Sequence, residues 1–447
     1  PSGNNAKPGT KAAAAKIQET AAVSSPKSSS ILVCIALDPP LQQPGVGSVE
    51  IAGRLDDPLL DQCVCTWINS CKSLVHCRTR TYDALARCLK RDWVLITRYI
   101  QPCIPPDDAY NTDLSLEVQM LQLCRFVSLV PFLEDWNIDD EGTDDEIPSI
   151  WFTSKEFIVD VGAGDWEEHA TLLCNFFLHL GKQAYLVFGT GTPEGKTVYV
   201  MTVDDSPQGG VRVAFWNAVK GKRYDCKDPL CTLKEIFYVV NKDNVWGNIQ
   251  LAHAIASTSF NFEDPLQWRP LLSPKFKAQS AFASPQLYQT VQTEIDWKRS
   301  PPKEAEAIRI EQDFNSTIQT VLEHWRSNEN LSTNGNEGLN RKLREVLKKM
   351  EESAHFKTPF NEEQLHQELK GYLNEYHITG FHINRPYTEI DGLLEEIHHS
   401  DIHHCGPVQN ELNESDVKFS HAVYVKAFPR KIFSVWIAVA CLSRKLR

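Results

Sequence analysis

No apolar stretch in this sequence is long enough to cross a bilayer. The longest, Ile432 to Leu442, is interrupted by Ser434 and reaches about half of the roughly 20 residues that a membrane helix needs. A Lys/Arg-rich stripe with interleaved aromatics is also missing, and a formal charge of −12 repels phosphate backbones on average, so nucleic acid is not an expected partner. No basic n-region followed by an apolar h-region opens the chain, and its first residue is Pro1 rather than Met; a piece of a longer intracellular protein is expected. Cysteine is not scarce, but thirteen is an odd number, irregularly spaced, in a chain large enough to need no disulfide staples. Reduced thiols are therefore expected.

What is present suits folded domains. Hydrophobic residues make up 42% and aromatics 10% of 447 residues, enough to build cores in about two to four units. Residues 1–30 are rich in Ala, Ser, Lys and Pro and are expected to form a disordered linker. In 31–56, Ile31 to Leu37 reads as one strand stopped by Asp38-Pro39-Pro40. Residues 57–133 form a helical and strand-bearing lead-in, with a β-like run from Trp93 to Tyr99 and a helix from Asp113, placed as its cap, to Phe132. The acidic stretch 134–148 follows, eight carboxylates falling between Glu134 and Glu146; without the alternation of an EF-hand it reads as a solvated loop.

Residues 149–271 form the most legible block. Asp165 and Glu168 have capping-box spacing, and Leu173, Phe176, Phe177 and Leu180 then recur at helical intervals up to Gly181. Three β-rich runs follow, Ala184 to Phe188, Val198 to Val203 and Val211 to Trp216, separated by turn residues. After a connector over 272–300, residues 301–447 predict helices. One carries Ala307, Ile310, Phe314, Ile318, Val321 and Trp325 on a face; others span about 339–353, 361–376 and 387–398. Val417 to Phe428 and Ile432 to Leu442 read as a terminal β-hairpin.

A helix opening at Gly164-Asp165 beside successive antiparallel strands is the frame in which a cysteine at the helix N-terminus is ionised by the dipole, a histidine on the next strands takes its proton, and an Asp or Asn orients that ring. Gly164-Asp165-Trp166-Glu167-Glu168-His169-Ala170-Thr171-Leu172-Leu173-Cys174 is similar to a motif of a C2-containing centrosomal protein with a transglutaminase-like domain. It is closer still to the coiled-coil and C2 domain-containing protein 2 family, which has Glu in place of that protein's Cys. Leu95 to Tyr99, Val127 to Leu133, Pro193-Glu194-Gly195, Asp243 to Gln250 and Ser434 to Ile437 extend the resemblance across about 31–447.

The resemblance implies an α+β fold: a transglutaminase-like (papain-like) domain of helix plus antiparallel sheet, preceded by the last strand of a C2 domain and followed by helices and the hairpin. It places Trp166 at the nucleophile position, Thr197 at the base position and Asn217 at the third, in a candidate cleft shared with His169 and Tyr199. An indole is no nucleophile and a threonine hydroxyl is no base near neutral pH, so no enzyme activity is expected. The implied role is a scaffold of the ciliary transition zone or basal body, on the cytoplasmic side, needed for cilium assembly. Implied partners are B9-domain C2 proteins and tectonic-type membrane proteins, with no cofactor.

Other readings stay open beside it. A relocated thiol would need Cys174, Cys226 or Cys231 to meet His169, His179 or His253, making a cysteine hydrolase or transferase; a peptide- or tubulin-tail-binding cleft is another alternative. Cys63, Cys65, Cys71 and Cys77 with His76 lack the paired knuckles of common zinc sites. His398, His399, His403, His404 and Cys405 fit a surface helix end better than a metal centre, and no metal is expected.

Overall fold

A computed structural model describes residues 58–90, 92–134, 150–205, 211–252, 254–277, 285–328, 334–356, 360–388, 390–400 and 417–445. The expected linker, the strand at Ile31 to Leu37, the acidic stretch beyond Glu134, and His253, His403, His404 and Cys405 lie outside the described residues.

Helix α1 (Pro58–Lys72) leads to a small sheet in which β1 (Leu85–Cys88) runs antiparallel to β2 (Trp93–Leu95) and parallel to β3 (Ile150–Trp151). The β-like run beginning at Trp93 is strand only to Leu95, and Ile96–Tyr99 winds into a 3-10 turn. Helix α2 (Leu116–Ser128) is shorter than its apolar spacing suggested. The Asn111 side chain accepts the Asp113 N–H at 2.9 Å, which holds Asp113 in a turn outside the helix and leaves Ser115 at the N-cap position.

Helix α3 (Trp166–His179) packs on a seven-stranded antiparallel sheet. Its strands are β4 (Gln183–Gly191), β5 (Gly195–Asp205), β6 (Val211–Asn217), β7 (Lys222–Asp225), β8 (Leu233–Val240), β9 (Val245–Asn248) and β10 (Trp268–Pro270). They lie in the order β10-β9-β8-β4-β5-β6-β7. The register between β4 and β8 shifts after Phe188, and a Cβ on Gly189 would stand 1.8 Å from the Glu235 carbonyl oxygen, so only glycine fits there. Because the sheet is buried on both faces, its central strands are apolar at odd and even positions alike. Leu186, Phe188, Val198, Val200 and Trp216 share a core with α3, and the Phe177 and Trp216 rings meet at 4.8 Å. Val187, Tyr199, Met201, Phe215 and Val239 fill a second core on the opposite face with Trp268, partly covered by Phe260 and Phe262.

Past the short α4 (Pro274–Lys277), the C-terminal part forms three layers. Its middle layer is β11 (Tyr376–Pro386), β12 (Val417–Phe428) and β13 (Ile432–Arg444) in the order β11-β13-β12. The two terminal strands pair antiparallel, and β11, unassigned from the sequence, pairs along its own length with Ser434 to Arg444 of β13. One face carries α5 (Glu304–Asn328) and α8 (Ile390–His399), the other α6 (Glu337–Phe356) and α7 (Glu362–Glu375). This sandwich seats on α2, where Phe126 meets Phe428 at 5.8 Å and Trp297 at 6.0 Å.

Candidate functional site

The first turn of α3 is fixed by its own sequence. Asp165 accepts the Glu167 N–H at 2.9 Å, and Glu168 reaches back to the Asp165 N–H at 3.1 Å, closing the expected capping box. The other Glu168 oxygen accepts the Phe152 N–H at 3.0 Å and ties the turn to the end of β3. Burial, followed by the nearby Asp165 carboxylate, pushes the Glu168 carboxyl well above its ordinary range.

His169 is fully buried, its two ring nitrogens facing the Asp165 carbonyl at 2.6 Å and the Val130 carbonyl at 3.1 Å. A neutral imidazole has one N–H and can satisfy only one of them. Burial lowers its pKa below the ordinary 6.5, while the two carbonyls and Asp165 pull the other way. The unfolded chain therefore binds more protons below that value, and stability falls as pH drops through it. In His169→Gln the decline in unfolding free energy between about pH 7 and 5 is expected to flatten, by up to about 1.4 kcal/mol per pH unit. Urea titrations at several pH values check this; an unchanged slope would assign the decline to other groups.

The five residues expected to share one cleft do not converge. Trp166 is partly buried against Phe132, with ring centroids 5.3 Å apart, and His169 is enclosed by Phe157 at 4.9 Å and Phe132 at 6.2 Å. Strand β5 pairs with β4 in unbroken register, so Thr197 shares the face of Tyr199, in the second core and turned away from α3. Asn217 is on that face too, where its amide donates to the Tyr199 hydroxyl at 2.8 Å and its carbonyl oxygen accepts the Lys220 N–H at 2.9 Å. The Tyr199 hydroxyl lies 2.5 Å from Thr232 Oγ1, and Thr197 Oγ1 is buried without a hydrogen-bond partner. Asn217 thus orients a tyrosine in a structural network.

The sheet face beside the first turn of α3 holds other residues, none singled out in the sequence. Val198, Phe188 and Tyr238 pair in a row across β5, β4 and β8. Phe188 stacks on Tyr238 at 4.3 Å and on Trp151 at 5.9 Å, while Tyr99 meets Trp151 edge-on at 5.4 Å. Burial, followed by the Asp83 and then the Glu167 carboxylate, pushes the Tyr238 hydroxyl well above its ordinary value. This row is an aromatic stack and offers no group that titrates near neutral pH.

The three cysteines weighed as a relocated nucleophile, Cys174, Cys226 and Cys231, lack the depressed pKa of a catalytic thiol. Cys174 is fully buried and its thiol is pushed up by burial, as are those of Cys226 and Cys231; burial takes Cys71 to about 12 and Cys103 to about 11. A catalytic thiol needs the opposite shift. Cys226 Sγ points at the Ile255 carbonyl, 3.7 Å away. Cys71 and Cys77 are buried beneath β9, whereas Cys65 is exposed next to Asp61, and among the described residues no group of three or more His, Cys, Asp or Glu is placed to hold a metal ion.

Comparison with known proteins matches residues 149–271 to the CEP76 peptidase-like domain and residues 303–444 to the C-terminal domain of the centrosomal protein of 76 kDa. Human Protein CC2D2B is 31% identical over 353 residues, covering 78% of this chain and 22% of that protein. Drosophila melanogaster coiled-coil and C2 domain-containing protein 2A is 25% identical over 346 residues, covering 77% and 23%. The chain therefore spans less than a quarter of the length of these two relatives. Among solved structures, calcium-bound Legionella pneumophila LapG shares 19% identity over 36% of this chain and 82% of its own, at a TM-score of 0.25, too low to carry an argument.

Proposed function

This chain is related to the coiled-coil and C2 domain-containing protein 2 family over more than three quarters of its length, and from that premise we propose that it works as a non-enzymatic scaffold of the ciliary transition zone. In this reading residues 149–271 are a transglutaminase-like domain that kept its helix and sheet and lost its site. The observation that supports the reading is the stack of Trp151, Phe188 and Tyr238 beside the first turn of α3; in this reading Trp166 takes the nucleophile position. The full protein would act at the cytoplasmic side of the basal body and transition zone, with B9-domain C2 proteins and tectonic-type membrane proteins as partners. A fold retained without its chemistry serves surfaces rather than turnover.

Rescue of cilium assembly in cells lacking the full-length protein tests the proposal. Cys174→Ser, Cys226→Ser and Cys231→Ser variants are expected to restore cilia to parent levels, and a thiol-reactive activity probe is expected to leave the protein unlabelled. Loss of rescue by one such variant at normal protein abundance, together with probe labelling that the same change abolishes, would overturn it in favour of a relocated-thiol hydrolase or transferase.

A further inference from the structure

At the start of α3, apolar side chains are held outward. Phe132 is 39% exposed, Leu133 58% and Val161 44%, and the partly buried Trp166 packs on Phe132. The backbone beneath them is firmly tied. Phe132 bridges to Gly164, the Leu133 N–H donates to the Gly164 carbonyl at 2.9 Å, and the Gly164 N–H donates to the Pro131 carbonyl at 3.2 Å. Val161 ends a π-helical turn, Glu156–Val161, closed by Gly162 at φ 77°, whose N–H donates to the Phe157 carbonyl at 2.8 Å. Gly164 lies so close to Phe157 that a Cβ there would stand 2.8 Å from the ring. The side chains therefore sit over a packed base, where a partner can use them without ordering a loop.

The stretch of sequence that carries them is one-sided in charge. Residues 126–178 hold thirteen carboxylates and a single basic residue of the Lys/Arg type, Lys155, which accounts for the whole formal charge of −12; the rest of the chain balances forty-five against forty-five. Three of these carboxylates adjoin the apolar residues in sequence: Glu134 after Leu133, Asp160 before Val161, and Glu167 after Trp166.

We infer that this face docks a basic segment of a partner protein that presents an aromatic or leucine anchor to Phe132 and Trp166. Buried aromatic anchors supply most of the energy of small interfaces, while opposite charge around them sets the encounter rate and excludes wrong partners. An anionic lipid surface or a nucleic acid would be repelled. A second copy bound through the same patch would bring carboxylates against carboxylates. The inference holds whether or not the partner is ciliary.

Panning a random dodecapeptide display library against the whole chain, in parallel with a Phe132→Ala/Trp166→Ala variant, tests it. Peptides whose retention falls at least tenfold on the variant are expected to carry net positive charge and at least one Trp, Phe or Leu. As synthetic fluorescent probes they should bind the parent with an affinity that weakens as salt rises. A Glu134→Lys/Asp160→Lys variant leaves the apolar residues in place and should lose the same peptides, which separates docking from a folding defect in the alanine variant. The inference is overturned if no peptide depends on Phe132 and Trp166, if those that do are neutral or acidic, or if charge reversal leaves them bound. It is also overturned if the parent self-associates in sedimentation and the alanine variant does not.

Discussion

Glu351→Ala is expected to lower the unfolding free energy by about 3–5 kcal/mol, the usual cost of removing one partner from a buried ion pair. One oxygen of Glu351 takes the Arg125 guanidinium at 2.5 Å, the Trp436 indole N–H at 2.5 Å and the Ser434 hydroxyl at 2.7 Å. Arg125 in turn donates to Asn384 at 3.2 Å, and Asn384 donates to Ser434 at 2.9 Å. Arg125 belongs to α2, whereas Glu351, Ser434 and Trp436 belong to the C-terminal sandwich, so the network fastens one part of the fold to the other. Removing the carboxylate leaves the part-buried Arg125 guanidinium with only Asn384 and Ser434, and the Trp436 indole N–H without an acceptor. Arg125→Met/Glu351→Met, which removes both charges, should recover most of the loss, because apolar replacement of a whole buried pair is often close to neutral. Denaturant titration of the parent, the two single variants and the double variant measures this. A single-variant cost below about 1 kcal/mol would show that water already reaches the pair.

Elements were legible where one physical pattern dominated. The capping box and apolar spacing of α3 announced the helix, and α5, α6 and α7 followed their apolar faces, with Leu322 buried where Val321 was expected. Strand β11 was missed because Tyr376–Pro386 mixes Gly, Asn, His and Pro into an edge position, where few apolar residues are required. The site was misplaced for a different reason. In a sheet covered on both faces, Val198 and Tyr199 are equally apolar, so composition does not say which parity faces α3, and a shift of one residue moves a side chain to the other core. Thr197 and Asn217, placed by the family resemblance and not by parity, lie on the face turned away from α3. The aromatic stack left no signal of its own, since Trp151, Phe188 and Tyr238 come from three separate strands.

The segment Asp243 to Gln250, which helped carry the family resemblance, has a structural explanation that leads to the second large effect. A Cβ on Gly247 would stand 2.8 Å from Cys71 Sγ, 3.2 Å from Trp67 and 3.3 Å from Tyr82, so glycine lets α1 and the chain after it close on β9. Arg80, buried there, donates to the carbonyls of Asn248 at 2.7 Å, Gln250 at 2.9 Å and Ala252 at 3.3 Å, and the Tyr82 hydroxyl donates to Asn248 at 2.8 Å. Arg80→Met leaves these carbonyls short of donors in a buried place. At about 1–3 kcal/mol for each unsatisfied group, partly offset by no longer burying a cation, the expected loss is about 3–5 kcal/mol. Arg80→Lys should recover less than half of it, because a single ammonium cannot reproduce a planar fork that reaches three carbonyls. Hydrogen exchange locates the damage: amides of β9 and residues 248–252 should exchange faster, while those of α5, on the far side of the C-terminal sheet, should keep their protection. Uniform acceleration would mean that Arg80 sets global stability only. Unchanged exchange near β9 would mean that Gly247 and the packing of α1 hold the lead-in without it.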